Sequence, residues 1–170
     1  MNNIFKIKLS LVLVVAAVTA NISFSQNTKS KNFNEGFRLG FGLNGGLPTN
    51  NAYDYSLGAD ARLQYDLSQK TSITFTTGFT NLFIGNNVPD IGFIPAKAGF
   101  KAFVLQDSFY VLGEVGAGFA VTNSYTETTF LWAPGIGYAS ENFDISVRYE
   151  DYDKFHTNQI ALRLAYGFKL

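Results

Sequence analysis

The sequence lacks cysteine, contains four prolines and one histidine, and carries no net charge, with 13 basic and 13 acidic residues. Without cysteine, a disulfide framework, a thiolate metal site and a lipidated N-terminal cysteine are excluded. No basic cluster or stripe is present, so nothing favours nucleic-acid binding. The balanced charge implies no strong electrostatic partner, and a length of 170 residues suits a single domain.

A long apolar run is also missing, but a short one, LSLVLVVAAVTA, follows Lys6 and Lys8. It falls short of the roughly 18 residues that a membrane-spanning helix needs. A basic start, a short apolar core and small residues at VTA or SFS are typical of a secretory signal peptide. We predict a removed signal peptide over 1–25, with a membrane anchor as the alternative, a polar lead-in over 26–35 and one domain over 36–170.

What the chain does contain is a repeated alternation of apolar with small or polar residues. In YSLGADARLQYDL, residues 55–67, every second residue is apolar, as expected for a β-strand with two chemically opposite faces. The same pattern recurs in FRLGFGLN, SITFTTGF, IPAKAGFKAFV, FYVLGEVGAGFAV, FLWAPGIGYAS, FDISVRYE and QIALRLAYGFKL. It predicts about eight strands of roughly ten residues, joined by hairpins into an antiparallel meander.

The connections alternate in length. LSQK, LQDS and SEN are short, whereas GLPTNNAYD, NLFIGNNVPDIG, TNSYTETT and DYDKFHTN are longer. A membrane barrel with both chain ends on one side has short turns at one end and long loops at the other. A soluble meander has no reason to follow this rule.

Two orientations of the strand faces are possible. A soluble, lipocalin-like barrel would turn its apolar faces inward, and a membrane barrel would turn them toward lipid. Eight faces rich in Phe, Leu, Ile and Tyr would overfill the narrow interior of an eight-stranded barrel. Tyr55 and Tyr65 bracket their strand ten residues apart, which on a tilted strand is a difference of about 25 Å in height and matches an apolar membrane band. We therefore predict an all-β, eight-stranded antiparallel up-and-down transmembrane β-barrel.

This orientation assigns a set of charged residues to the lumen and a set of aromatic residues to the two membrane interfaces. The predicted lumen network is Arg38, Asp60, Arg62, Lys97, Lys101, Glu114, Arg148, Glu150 and Arg163, and the predicted aromatic girdle is Tyr55, Tyr65, Tyr138, Tyr149, Tyr166 and Phe168. Charges in so narrow a space must pair. The network then forms either a charge-selective ion path or a plug of salt bridges. Pro95 and Pro134 break the strand pattern and predict a bulge or strand end, with a slip in parity before Pro95.

The segments IPAKAGFK, GEVGAGF, APGIGY and the terminal strand ALRLAYGFKL resemble the outer-membrane β-barrel (porin-like) domain family of Gram-negative bacteria, and in particular the small OmpA/OmpX-type barrels. The resemblance implies outer-membrane insertion by the assembly machinery, which recognises a last strand with an aromatic end. Here Phe168 stands two residues before the final Leu170. The family carries no catalytic residues to transfer, and the resemblance implies no cofactor.

Three further motifs contain residue types found in binding or catalytic sites, but a structural role explains each of them better. GFGLNG matches a dinucleotide fingerprint, but a loop with Pro48 follows it where a helix is required. His156 with Ser124 or Ser146 and Asp153 contains the residue types of a lipid-hydrolysing triad, without a local motif. Oxygen ligands for a divalent cation are present in EDYDKFH, residues 150–156. The same composition is typical of a charged loop exposed to water.

We therefore expect a structural or surface-interaction barrel in contact with outer-membrane lipid and lipopolysaccharide, through outer loops that include Asn50, Tyr53, Tyr125 and Tyr152. The alternatives are a narrow channel for ions or small solutes and a lipid-modifying enzyme. The sequence names no surface ligand, no metal and no cofactor.

Overall fold

The computed structural model describes residues 36–50, 53–85, 88–105, 108–123 and 125–170. The predicted signal peptide and lead-in lie outside this part of the chain. Within it, no helix is long and apolar enough to cross a membrane.

Eight strands close into a single barrel. They are β1 (Gly36–Pro48), β2 (Tyr55–Asp66), β3 (Thr71–Phe83), β4 (Ile91–Leu105), β5 (Phe109–Ala120), β6 (Thr128–Ala139), β7 (Phe143–Tyr152) and β8 (Thr157–Lys169). Each strand pairs antiparallel with its neighbours in chain order, and β1 closes the barrel on β8 over the register Arg38↔Lys169 to Pro48↔Gln159. The prediction of an eight-stranded antiparallel up-and-down barrel is confirmed.

The alternating pattern places the apolar faces outside. Phe41 and Leu43 are 56% and 70% exposed, whereas the neighbouring inward positions Gly42 and Asn44 are buried or half-buried. On all the described strands the outward-facing residues are apolar or uncharged, apart from Asp151 at the end of β7. The polar side chains therefore fill the inside, as they do in membrane barrels and not in lipocalins.

The two prolines interrupt hydrogen bonding without displacing the strands. The β3–β4 ladder is unpaired opposite Pro95, and the β6–β7 ladder is unpaired opposite Pro134, but the register is the same on both sides of each gap. Since proline has no N–H, one neighbouring strand loses a bond while the other stays paired, as Pro95↔Gly118 and Gly113↔Pro134 show. The predicted bulges, strand ends and parity slip are wrong; the one register shift in the β4–β5 ladder lies between Phe103 and Leu105.

The connections divide the barrel into two ends. The lower end holds the start of β1 and the ends at which β2 meets β3, β4 meets β5 and β6 meets β7. The upper end holds the ends at which β1 meets β2, β3 meets β4, β5 meets β6 and β7 meets β8. Half of the predicted long loop DYDKFHTN is strand, because β7 continues to Tyr152 and β8 begins at Thr157. At the upper end, Asn50 Nδ2 donates to the His156 carbonyl oxygen at 3.0 Å, which ties the first connection to the last.

Candidate functional site

Glu114 on β5 lies at the centre of the barrel interior. Its Oε1 is 2.9 Å from Arg62 Nη2 and accepts a hydrogen bond from the Thr76 hydroxyl at 3.0 Å. Its Oε2 is 3.2 Å from Arg148 Nη1 and 3.5 Å from Lys97 Nζ. Side chains from four other strands thus converge on one carboxylate that is shielded from solvent. A buried carboxylate is tolerated only when it is paired in this way.

Asp60 on β2 forms a second ion pair across β1 with Arg163 on β8. Arg163 Nε lies 2.9 Å from Asp60 Oδ2, and Arg163 Nη2 lies 2.6 Å from Oδ1. The Asn44 amide donates to Asp60 Oδ2 at 2.8 Å and its carbonyl oxygen accepts from Arg148 Nη2 at 2.6 Å. Asn44 therefore connects this pair to the group around Glu114.

Below Glu114, Asp144 on β7 holds Lys101 on β4. Lys101 Nζ lies 2.6 Å from Asp144 Oδ2 and 3.8 Å from the centroid of the Tyr110 ring. The Tyr110 hydroxyl donates to Asp144 Oδ1 at 2.7 Å. Further down, Arg38 pairs with Asp66 at 3.1 Å, and the Arg38 side chain is 37% exposed. The ionic network therefore reaches solvent at the lower mouth.

Above Glu114, Glu150 on β7 pairs with Lys97 and accepts hydrogen bonds from uncharged side chains. Its Oε1 lies 3.1 Å from Lys97 Nζ, and its Oε2 accepts from the Tyr152 hydroxyl and from Gln159 Nε2, each at 2.6 Å. The Tyr53 hydroxyl donates to Gln159 Oε1 at 2.7 Å. Burial, with a smaller contribution from Glu150, raises the pKa of Tyr53, so its hydroxyl remains a donor at neutral pH.

Apolar side chains close the upper end over this group. The Phe93 ring centroid lies 5.2 Å from that of Tyr152 and 5.7 Å from that of Phe155, both in edge-on geometry. Leu82 and Leu131 are almost fully buried against the same cluster. The interior is thus covered above by packed rings and open below to partial solvent contact.

A small cavity of ≈ 10 Å³ lies between the apolar cover and the ionic group. Its lining includes Asn44, Thr76, Lys97, Arg148 and Glu150. A volume of about 10–15 Å³ is enough for one water molecule. Arg148 Nε and Arg62 Nη1 are buried and have no hydrogen-bond partner among the described residues.

The structure places eight of the nine predicted lumen residues deep inside the barrel and the ninth, Arg38, at its lower mouth. Sequence analysis omitted Asp144, although it lies on the same polar face of its strand as Ser146 and Arg148. Tyr53 and Tyr152 were expected to meet the surroundings in outer loops. That expectation is wrong, since they are 5% and 2% exposed inside the upper lumen.

The predicted girdle residues point outward from both ends of the barrel. At the lower end Tyr65, Tyr138 and Tyr166 contact phenylalanines on neighbouring strands, with ring centroids 4.8–5.4 Å apart. Phe168, near the end of β8, is 39% exposed. At the upper end Tyr55 stacks on Phe83 at 4.7 Å and Tyr149 contacts Trp132 at 5.7 Å. Such ring pairs fix the orientation of large outward side chains.

The remaining motifs do not assemble into chemical sites. GFGLNG lies within β1 and is followed by no helix. His156 is exposed beyond the end of β7, whereas Ser146 is buried in the lower half of that strand; Ser124 lies outside the described residues. Glu150 turns into the lumen, so EDYDKFH does not gather its oxygen ligands, and no group of three or more His, Asp or Glu side chains suited to a metal occurs in the described chain.

Membrane barrels are among the solved structures that share this architecture. Ail, the attachment invasion locus protein of Yersinia pestis, is 17% identical and superposes with a TM-score of 0.55 over 81% of this chain and 100% of Ail. The N-terminal β-barrel domain of Pseudomonas aeruginosa OprF is 12% identical, with a TM-score of 0.55 over 79% of this chain and 100% of that domain. The fold is that of a transmembrane β-barrel.

A de novo designed transmembrane β-barrel gives the same result, with 16% identity and a TM-score of 0.53 over 79% of this chain and 98% of the design. No family model and no curated protein matches the chain. A transmembrane β-barrel needs only alternating faces, closure and turns, and sequences at this level of identity can therefore share it while differing in what the interior and loops do.

Proposed function

We propose that this protein is an integral outer-membrane barrel whose interior is a closed ionic plug and whose role is structural or depends on contacts made at its outer surface. The observation that carries the proposal is the convergence of Arg62, Lys97 and Arg148 on Glu114 across the lumen. A conducting path would need to separate these pairs, and breaking a buried pair costs about 3–5 kcal/mol.

Two features support closure in addition to the ion pairs. The apolar cluster of Phe93, Leu131, Tyr152 and Phe155 covers the upper end of the lumen. Below it, the cavity beside Lys97 has room for about one water molecule rather than a continuous file. Both features favour a scaffold over a pore.

The outer surface supports membrane residence and external contact. Aromatic pairs at both ends and an uncharged outward face between them suit a bilayer. The resemblance of the fold to Ail, an outer membrane protein of Yersinia pestis, supports an outer-membrane location. We include in the proposal a cleaved signal peptide over 1–25, insertion by the outer-membrane assembly machinery and contact with lipopolysaccharide. Ail is named for attachment and invasion, so this fold is compatible with a surface-contact role.

Single-channel recording in planar bilayers tests the plug. We expect the purified protein to show no steady openings, because the ion pairs and the apolar cover occupy the lumen. A variant that combines Arg62→Ser, Glu114→Ser and Arg148→Ser with Phe93→Ala and Tyr152→Ala removes both the central ion pairs and the apolar cover. It is expected to conduct, which shows that inserted protein is detected. Steady openings of the unmodified protein would overturn the plug while leaving the barrel intact.

A narrow pore for small anions is the second candidate, and one observation favours it. Inside the described barrel, five cations face four carboxylates, namely Arg62, Lys97, Lys101, Arg148 and Arg163 against Asp60, Glu114, Asp144 and Glu150. An excess of positive charge in a narrow lumen favours anions. If openings occur, their reversal potential in a salt gradient should show anion selectivity.

No catalytic arrangement is formed by the described residues, so we do not propose an enzyme.

A further inference from the structure

The excess positive charge inside the barrel is confined to one group of side chains. Arg163 is matched by Asp60 and Lys101 by Asp144. The other cations, Arg62, Lys97 and Arg148, share only the carboxylates Glu114 and Glu150. Three cations on two carboxylates leave one positive charge without a matching negative charge, in a region where every side chain involved is nearly inaccessible to solvent.

The same group has unused donors and free space. Arg148 Nε is buried without an acceptor among the described residues, and Arg148 and Lys97 both line the ≈ 10 Å³ cavity. Asn44 and Thr76 add further polar groups to its wall. A buried guanidinium N–H that stays without an acceptor destabilises the folded state, because it has lost its hydrogen bonds to water. An occupant that accepts hydrogen bonds and carries one negative charge would satisfy both the donor and the charge.

We propose that this cavity binds a single small monovalent inorganic anion of the halide class, held by Arg148 Nε and Lys97 Nζ. The size excludes carboxylates and polyatomic oxyanions as snug occupants, because the space accommodates about one water-sized particle. The carboxylates that also line the cavity are already engaged, Asp60 by Arg163 and Glu150 by Tyr152 and Gln159. Their negative charges allow no more than one negative charge on the bound anion. Water is the alternative occupant of the cavity.

Halide-dependent stability of the purified protein in detergent tests the site without reference to conduction. Urea unfolding is measured in sodium chloride or bromide and in sodium gluconate at equal ionic strength. We expect the halides to raise the unfolding midpoint in a saturable way, since an occupant that binds only the folded state stabilises it. Lys97→Met, which leaves two cations on two carboxylates, should abolish the difference between halide and gluconate. Arg38→Met, at the lower mouth, should keep it.

Crystals grown with bromide give a second measurement that does not depend on the Lys97 variant folding. An anomalous peak within hydrogen-bonding distance of Arg148 Nε supports the proposal. Equal stability in halide and gluconate, or a peak-free cavity that contains water at high bromide concentration, would overturn it. Whether or not a halide binds, the single-channel recordings test separately whether the lumen is closed.

Discussion

Arg163 and Asp60 form a bidentate ion pair over the top of Gly42, the β1 residue that lies between their strands. A Cβ atom built on Gly42 would lie 2.9 Å from the Arg163 guanidinium. The glycine therefore makes room for the charged side chain of one neighbouring strand to reach the carboxylate of the other. The ion pair between Asp60 and Arg163 therefore depends on glycine at position 42.

Removing one partner of this pair should destabilise the barrel strongly. Arg163→Met leaves Asp60 buried with the Asn44 amide as its hydrogen-bond donor, and the expected loss is about 3–5 kcal/mol of unfolding free energy. The double variant Arg163→Met, Asp60→Leu should recover much of that loss, because both charges are gone. Urea titration followed by the gel mobility of unheated samples measures the difference.

The matched comparison for this prediction is Arg38→Met. Arg38 also pairs with an aspartate, Asp66, but its side chain is 37% exposed at the lower mouth. Exposed pairs contribute about 0–1 kcal/mol. Similar losses for Arg38→Met and Arg163→Met would show that burial does not set the strength of these pairs.

Two glycines on β5 should respond oppositely to alanine. A Cβ on Gly116 would collide with the Ala96 carbonyl oxygen of the neighbouring strand, whereas a Cβ on Gly113 would meet no atom within 4 Å. We expect Gly116→Ala to lose about 1–3 kcal/mol through overpacking. Gly113→Ala should be neutral or gain up to about 1 kcal/mol. The same unfolding assay measures both, and equal effects would contradict the close approach of β4 and β5.

Sequence alternation was sufficient to assign the strand faces, because the outer face of this barrel is apolar and the inner face is polar or charged. Arg62 and Leu63 are neighbours in sequence, and the period of two puts one in the lumen and the other on the outer surface. It was not sufficient to assign partners. Asp60 and Arg163 are separated by 103 positions, and only the closure of β8 on β1 and the resulting register bring them together.

Apart from those at Pro95 and Pro134, the errors arose at strand ends, where alternation and loop composition compete. DYDKFHTN has the composition of a loop, but the inward parity of Arg148 and Glu150 continues to Tyr152. Extending that parity by one step would have placed Tyr152 in the lumen. Tyr53 offered no such signal, because it lies in a connection and is buried by its contact with Gln159.

Arginine substitutions on the outer face test its contact with lipid. Phe41 lies mid-strand on β1 and is 56% exposed, so Phe41→Arg should cost about 2–4 kcal/mol in a bilayer, as expected near the membrane midplane. Thr128, at the upper start of β6, also faces outward, and Thr128→Arg should cost about 0–1 kcal/mol. Reversible unfolding from phospholipid vesicles gives both values. A Phe41→Arg cost no larger than that of Thr128→Arg would contradict a lipid-facing midplane.

Tyr53→Phe tests the hydrogen-bonded cover of the upper lumen and its pH dependence. At pH 8 the loss of the bond to Gln159 should cost about 1 kcal/mol. Burial raises the pKa of Tyr53 in the folded state, whereas an unfolded tyrosine ionises near pH 10. The stability due to this shift is fully present below about pH 10 and is lost as the pH rises toward the folded-state pKa, because only the unfolded chain gains by ionising. The difference in unfolding free energy between Tyr53→Phe and the unmodified protein should therefore narrow between pH 8 and pH 11. A difference that stays constant across this range would show that the Tyr53 hydroxyl ionises equally well in the folded barrel, and that the aromatic cover does not exclude water from it.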